Sequence, residues 1–395
     1  MGKVSARDAV AAAFREERVK VLATLIHLTG DWELAEECVQ DAFEAALAHW
    51  PDDGVPRRPG AWLTTTARNR ALDRLRRSNV EATKLREAAK VPDAEDDEWG
   101  DDRLRLVFTC CHPALPLDAR VALTLRTVAG LTTEEIARAF LTPTATMAQR
   151  LFRAKAKIRE AGIPYRVPAP DLLPERLTGV LGVVYLLFNE GYSGRRELAE
   201  EAIRLGRLLE QLMPTETEVR GLLGLMLLHH ARADARTNDA GDLVPLDEQD
   251  RARWHRGLID EGVRLLTGTT TPYQLQAAIA ACHATAATAQ DTDWWRISVL
   301  YEQLASLTPS PFIELNRAVA VAMADGPEAG LTLVDALDSS DTLDGYHLLP
   351  AVRADLLRRL RRRTEAAAAY EQALTQAPTE PERRYLRRRI AEVRG

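Results

Sequence analysis

The strongest constraint on the fold of this chain is the helical spacing of its apolar residues. In the first 30 residues, the apolar positions Val10, Phe14, Val21, Leu25 and Leu28 recur at the period of an α-helix. Similar stripes return in most later segments. Only 6% of the 395 residues are aromatic, and Ala, Leu, Arg and Glu dominate, a mix that favours helices over a large β-sandwich or barrel. The sequence therefore predicts an all-α fold.

Two further helices follow the first and carry charges of opposite sign. Gly30 ends the first helix, and Asp31 is placed to cap a second over residues 32–48, which has an acidic outer face. A loop over 51–56 leads to a third helix over 59–77. Between residues 57 and 77 there are seven basic residues and one acidic residue. The third helix is therefore a candidate for binding a polyanion.

A helix-turn-helix unit is indicated farther along the chain. Residues 118–129 form a helix that Gly130 ends, and Thr132 and Glu135 form a capping box for the next helix. Thr142 is predicted to cap a third helix, with Pro143 at its first position. In that third helix, one stripe is apolar and the opposite stripe carries polar and basic residues: Thr146, Arg150, Arg153 and Lys157. A helix of this kind can enter the major groove of DNA.

Composition marks two boundaries. Residues 93–102 hold seven acidic residues and no basic one, and residues 164–174 hold four prolines, which forbid a continuous helix. After the second boundary, Tyr301 with Pro309 and Tyr370 with Pro378 repeat one spacing 69 residues apart. That interval is about two units of the 34-residue tetratricopeptide repeat (TPR). The predicted domains are 1–92, an acidic linker and connecting segment over 93–117, the helix-turn-helix over 118–166, and a TPR-like solenoid over 167–395.

Several classes of protein are disfavoured. The formal charge of −6 confines any nucleic-acid contact to local basic patches. Four cysteines are too few for a disulfide scaffold, and their spacing does not match a zinc site. The first 20 residues lack the apolar core of a signal peptide, and no apolar stretch is long enough to span a bilayer. We therefore expect a cytoplasmic protein that does not bind a membrane, with no catalytic residues, bound metal or cofactor.

The motifs resemble sigma factors of the extracytoplasmic-function (ECF) group, which belong to the sigma-70 family. Residues 31–47, DWELAEECVQDAFEAAL, resemble the region 2 helix that docks on the β′ clamp helices of RNA polymerase. Residues 59–77, PGAWLTTTARNRALDRLRR, resemble the helix that reads and opens the −10 promoter element. Residues 119–162 resemble region 4, which reads the −35 element. The remainder resembles the TPR-like extension of one subgroup, although residues 104–116, LRLVFTCCHPALP, depart from the general pattern.

The resemblance implies partners and site residues. The partners would be core RNA polymerase, at its β′ clamp helices and β flap, and promoter DNA. The extension would be regulatory and would take a regulatory protein or a ligand. The polymerase-binding residues would be Glu37, Gln40 and Asp41. The −10 residues would be Trp62, Asn69, Arg70, Arg74 and Arg77. The −35 residues would be Thr144, Thr146, Gln149, Arg150, Arg153 and Lys157.

Three alternative functions remain open from the sequence. The first is a helix-turn-helix regulator with a TPR sensor that binds operators without polymerase. The second is a helical-repeat scaffold whose basic helices are incidental. The third is an enzyme that uses the cluster Cys110, Cys111 and His112, for which the sequence offers no base, phosphate loop or ligand spacing.

Overall fold

The computed structural model describes residues 6–77, 101–140, 142–192, 195–238, 242–268, 270–339 and 343–395. The described residues are mostly helical, and their β-structure is limited to one isolated antiparallel bridge between Thr237 and Leu243. They confirm the all-α fold. The chain divides into two compact units between Leu212 and Met213.

The first unit opens with a three-helix bundle. Its helices are α1 (Ala6–Thr29), α2 (Trp32–Asp53) and α3 (Pro59–Arg77). Each of the three packs on the other two. Their shared core is fully buried and includes Leu22, Leu25, Ala35, Cys38, Ala42, Leu63 and Ala67. The face of α2 opposite its acidic residues is thus the face that builds the bundle.

Local sequence signals set the ends of these helices. The Asp31 carboxylate accepts hydrogen bonds from the backbone N–H groups of Glu33 (3.0 Å) and Leu34 (3.1 Å), as predicted. However, α2 continues through Pro51 to Asp53, where the sequence had predicted a loop. A proline in the last turn removes only one backbone hydrogen bond, so the helix tolerates it. Gly54 ends the helix instead, with φ of 85°.

A second bundle contains the helix-turn-helix. Its helices are α4 (Asp102–Cys110), α5 (Leu117–Thr124), α6 (Thr133–Ala139) and α7 (Thr144–Glu160), and a single π-helical turn, Leu125–Ala129, prolongs α5. The segment 104–116, which departs from the general sigma-factor pattern, supplies most of α4, and the apolar side chains of this helix are buried. Helix α4 packs on α1 and on α5, so this segment joins the two bundles.

Two helices of the extension complete the first unit. They are α8 (Leu173–Tyr192) and α9 (Arg196–Leu212). Helix α8 packs on α4, α5 and α9, and the Arg176 guanidinium donates to the Phe108 carbonyl oxygen at 2.8 Å. The first unit therefore extends beyond residue 167, where the sequence places the start of the repeat domain. The four domain limits given above stay predictions.

The second unit is a series of helices, each packed on the next in sequence. Short 3₁₀ turns lie at 233–235 and 251–253. Packing of each helix on the next one is typical of helical repeats. The small residues Ala354, Ala366 and Ala373 are fully buried between helices, together with Tyr370. The helices of this unit are α10 (Thr217–His230), α11 (Arg256–Arg264), α12 (Pro272–Thr285), α13 (Trp294–Leu307), α14 (Pro311–Ala324), α15 (Pro327–Asp338), α16 (Leu348–Arg359), α17 (Arg363–Gln376) and α18 (Glu380–Arg394).

Candidate nucleic-acid interface

The basic helix α3 presents its cations on the surface of the first bundle. Leu63, Ala67 and Ala71 face the core, so Asn69 and Arg70 on the remaining face are exposed. Arg74, one turn after Arg70, is half-buried. Arg77 ends the helix, but its side chain lies outside the described residues. The helix thus has one apolar, buried face and one polar, basic face that is exposed to solvent.

Trp62 lies at the other end of α3 and packs on a second tryptophan. Its ring meets that of Trp50 edge to face, with centroids 5.6 Å apart. Trp50 is buried, whereas Trp62 is half-buried and keeps part of its ring accessible. This arrangement fixes the orientation of Trp62, and a fixed, partly open aromatic ring is suited to stacking on a base.

The acidic face of α2 and the basic face of α3 are paired with each other. The Asp41 carboxylate accepts from Arg74 at 2.8 Å and lies 3.4 Å from Arg70, and Glu37 also pairs with Arg74. Asp41 is the more sheltered acid, with 22% of its side chain exposed, whereas Glu37 and Gln40 are open to solvent. Asp41 therefore holds two of the predicted DNA-binding arginines in place.

The helix-turn-helix is built by the capping signals that the sequence carries. The Thr132 hydroxyl accepts from the Glu135 N–H at 3.1 Å, and the Glu135 carboxylate accepts from the Thr132 N–H at 2.7 Å. Helix α7 begins one residue later than predicted, at Thr144 with Pro143 at the cap. The Thr142 hydroxyl does not cap it, because that hydroxyl donates back to the Phe140 carbonyl oxygen.

Helix α7 separates its two stripes cleanly. Met147, Leu151, Ala154 and Ile158 are buried, as the apolar stripe predicts. Arg150 is half-buried and pairs with Asp118 at 3.2 Å. The other residues proposed to read the −35 element are exposed: Thr144, Thr146, Gln149, Arg153 and Lys157.

The two bundles meet through charged residues that the sequence did not single out. The Lys155 ammonium donates to both Glu36 oxygens, at 2.8 and 2.9 Å, and these side chains are only 15% and 20% exposed. The Tyr165 hydroxyl lies 3.0 Å from the carbonyl oxygens of both Ala23 and Asp102. Lys155 lies between the two stripes of α7, so helical spacing gives no signal of its partner.

A cleft of about 480 Å³ separates α3 from α7 on this side of the unit. Arg74 and Leu75 line it from α3, and Phe152, Lys155 and Arg159 line it from α7. Phe152 is 58% exposed within the cleft. The two helices proposed to read DNA therefore face one shared cleft.

The remaining candidate clusters are structural in character. Cys110 and Cys111 are buried in the core beneath α4, and burial raises the pKa of both thiols. Among the residues that the structure describes, no three His, Cys, Asp or Glu side chains are grouped as metal ligands would be. The arginines of α18 lie in ion pairs with Glu380, Asp355 and neighbouring acids. Across the described ranges, no helix has the length and apolarity needed to cross a bilayer.

These features define the class of protein: an all-helical DNA-binding protein with two basic helices on two bundles, followed by helical repeats. The chain matches sigma-70 region 2 over residues 13–80 and sigma-70 region 4 over residues 105–158. It also matches a family of unknown function, DUF6596, over residues 176–270.

Known proteins match the chain at two levels of identity. An uncharacterized protein of Rhizobium meliloti is 42% identical over 94% of this chain and 93% of its own length. The probable ECF RNA polymerase sigma factor SigI of two Mycobacterium tuberculosis strains is 27% identical over 51% of this chain and 75% of its own length. No solved structure matches the chain. The chain belongs to the ECF group of the sigma-70 family, and its extension contains a DUF6596 region.

Proposed function

We propose that the chain binds core RNA polymerase and directs it to a dedicated set of promoters, with the C-terminal helices regulating this activity. The observation that carries the proposal is the succession of two basic helices, α3 and α7, on bundles that match region 2 and region 4. A helix-turn-helix regulator that acts without polymerase does not need the first bundle.

Helix α7 is suited to duplex DNA. Its exposed face offers hydroxyl, amide and guanidinium groups, and the major groove is about 12 Å wide, enough to admit one α-helix. Arg153 and Lys157 stand one turn apart on that face. Each well-formed base contact would discriminate against a wrong base pair by about 1–3 kcal/mol.

Helix α3 is suited to an opened strand. Arg70 and Arg74 would hold the backbone, and the accessible part of Trp62 would stack on an unpaired base. Extruding a base costs a few kcal/mol, which stacking on an aromatic ring offsets in part. Because Asp41 fixes Arg70 and Arg74 beforehand, less side-chain entropy is lost when they bind.

The docking face for polymerase is the acidic surface of α2. Glu37 and Gln40 project into solvent there, and Asp41 lies behind them. Charges of this kind steer encounter and set orientation more than they add affinity. The same face lies beside the basic face of α3, so polymerase and promoter would meet the first bundle side by side.

Regulation through the extension has a direct structural route. Helices α8 and α9 pack within the first unit, and Arg176 of α8 is bonded to the backbone of α4. A regulatory protein or ligand that shifts these helices would also shift the helix-turn-helix bundle that they contact.

Run-off transcription with purified core polymerase tests the proposal. We expect promoter-specific transcripts only when the chain and core polymerase are both present, on genomic fragments from the source organism. The Arg70→Ala, Arg74→Ala double variant is expected to reduce them, because it removes two of the proposed backbone contacts. Specific DNA binding without polymerase, and no transcripts with it, would favour the independent regulator. Absence of salt-dependent DNA affinity in the presence of polymerase would favour the scaffold.

A further inference from the structure

Arg18 is a buried cation with few partners among the residues that the structure describes. It lies on α1, and only 9% of it is exposed. Its guanidinium makes one long hydrogen bond, from Nη1 to the Thr127 carbonyl oxygen at 3.4 Å, and sits 5.6 Å from the centre of the Phe14 ring. A guanidinium carries five N–H donors, and buried charges are normally paired with a carboxylate. Among the described residues, the guanidinium of Arg18 therefore has hydrogen-bonding capacity left for a ligand.

Two charged groups, Arg126 and Glu36, act on Arg18 in opposite directions. Arg126, in the π-helical turn that prolongs α5, repels the charge of Arg18, and the Glu36 carboxylate attracts it. Glu36 is already bonded through both oxygens to Lys155. Burial lowers the pKa of Arg18, and Arg126 lowers it further, while Glu36 partly offsets both. Glu36 is thus shared between Lys155 and Arg18, and Arg126 adds a second cation beside Arg18.

Arg18 and Arg126 line the same cavity, which has a volume of about 800 Å³. Ligand sites in proteins usually measure about 300–1,000 Å³. The wall of the cavity is largely apolar, and Phe14 and Phe43 meet there edge to face with centroids 5.0 Å apart. The other apolar lining residues are Val10, Leu22, Val39 and Leu47.

We propose that this cavity binds a small organic anion with an apolar body. Arg18 and Arg126 would hold its carboxylate, phosphate or sulfonate group, and the aromatic pair would hold its body. Charge-assisted hydrogen bonds from arginine to such groups are the strong class. Glu33, Glu37 and Glu44 also line the cavity, so they would repel polyanions and select ligands of low negative charge.

The position of the cavity gives the ligand a regulatory effect. Arg18 belongs to the first bundle and Arg126 to the second, so a bound anion would bridge the two. Glu37 and Gln40 line the cavity as well, and a ligand there would cover part of the proposed polymerase-docking face. Inhibition by the ligand rests on the proposed function, whereas binding of the ligand does not.

Two fluorescent dyes of similar shape test the binding. Anilinonaphthalene sulfonate carries an anionic group on an aromatic body, and phenyl naphthylamine lacks that group. Both are titrated into the full chain, without polymerase or DNA. We expect Arg18→Met and Arg126→Met each to weaken binding of the sulfonate dye by about tenfold or more, because each removes a charge-assisted hydrogen bond. Neither variant should change the affinity for the neutral dye. Arg68→Met, on the exposed face of α3, is the matched control and should change neither.

Folding of the variants is checked by thermal melting. Because Arg18 is a buried, under-partnered charge, replacing it with Met should not lower the Tm. The sulfonate should raise the Tm of the wild-type chain but not that of Arg18→Met. Equal affinity for the two dyes, or unchanged sulfonate affinity in both cavity variants, would overturn the proposal. Neither result depends on whether the chain initiates transcription.

Discussion

Burial determines the reactivity of the cysteine side chains in the Cys110–His112 cluster. Cys110 and Cys111 have 0% and 2% exposure, and the Cys111 sulfur lies 3.5 Å from the Thr124 hydroxyl. Burial raises the pKa of Cys111 to about 11, and Thr124 offsets that rise only in part. Thiolates, not thiols, attack electrophiles and bind metals. These two side chains therefore have the character of core residues, as adjacent cysteines in an apolar run would predict.

Alkylation measures this directly. At about pH 8, where an ordinary thiol is partly ionised, we expect iodoacetamide to label Cys282, which is half-buried, well before Cys110 or Cys111. The order should disappear in denaturant, where all the pKa values return toward the ordinary range. Mass spectrometry of the labelled peptides, with and without denaturant, reads out each site. Rapid labelling of Cys110 in the native chain would contradict the burial and would revive the catalytic alternative.

At the scale of elements, two of the arginines of α7, Arg150 and Arg153, differ in their surroundings. Arg153 is exposed, whereas Arg150 is already paired with Asp118. We expect Arg153→Ala to weaken holoenzyme binding to the cognate −35 element by about 1–3 kcal/mol if it contacts a base, or to reduce the salt slope by about one if it contacts phosphate. Arg150→Ala should have the smaller effect, because Asp118 neutralises part of its charge.

The control for this experiment lies on the same helix. Arg159 lines the cleft shared with α3 rather than the exposed reading face, so Arg159→Ala should leave −35 binding nearly unchanged. Fluorescence anisotropy with matched and scrambled −35 duplexes, over a range of salt, separates base from phosphate contacts. If Arg159→Ala costs more than Arg153→Ala, the reading face of α7 has been placed on the wrong side.

The helices also show how much of the fold and of the candidate site the sequence alone predicts. The Asp31 cap, the Thr132 capping box and the buried stripe of α7 depend on residues within a few positions of one another, and the structure has them as predicted. The pairing of Arg74 with Asp41 joins two helices, and that of Lys155 with Glu36 joins two bundles. The spacing of apolar residues predicts which face of a helix is exposed, but not which other helix packs against that face. These two ion pairs could therefore not be predicted from the sequence.

In the first unit, the two bundles lie closer together than the proposed binding to a whole promoter requires. The −10 and −35 elements lie about 25 base pairs apart, or about 85 Å of DNA at about 3.4 Å per base pair. In this structure α3 and α7 line one cleft, so they cannot reach both elements at once. For α3 and α7 to bind these two elements as proposed, the two bundles would therefore have to separate.

The ion pair between Lys155 and Glu36 helps to hold this cleft closed, beside the packing of α4 on α1. Lys155 lines the cleft and pairs with Glu36 of α2, while Phe152 remains largely exposed instead of packing on the first bundle. Removing one partner of a mostly buried ion pair costs up to about 3 kcal/mol, because the other charge is left uncompensated. A polymerase contact that competes for Lys155 or Glu36 would weaken this closure, whereas salt would screen the mostly buried pair only weakly.

Charge reversal tests whether this pair holds the bundles together. Dyes are placed on Asp52 and Thr146, both exposed, in a chain with Cys282 replaced by Ser, and energy transfer between them reports the separation. We expect Glu36→Lys and Lys155→Glu each to lower the transfer, because each puts like charges face to face. The double variant should restore it, because the pair is re-formed with opposite polarity. Arg74→Gln, which removes a pair within the first bundle, should leave the transfer unchanged. If both single reversals keep the wild-type transfer, other contacts hold the cleft closed, and the opening of this sigma factor has to be sought at α4, which joins the two bundles.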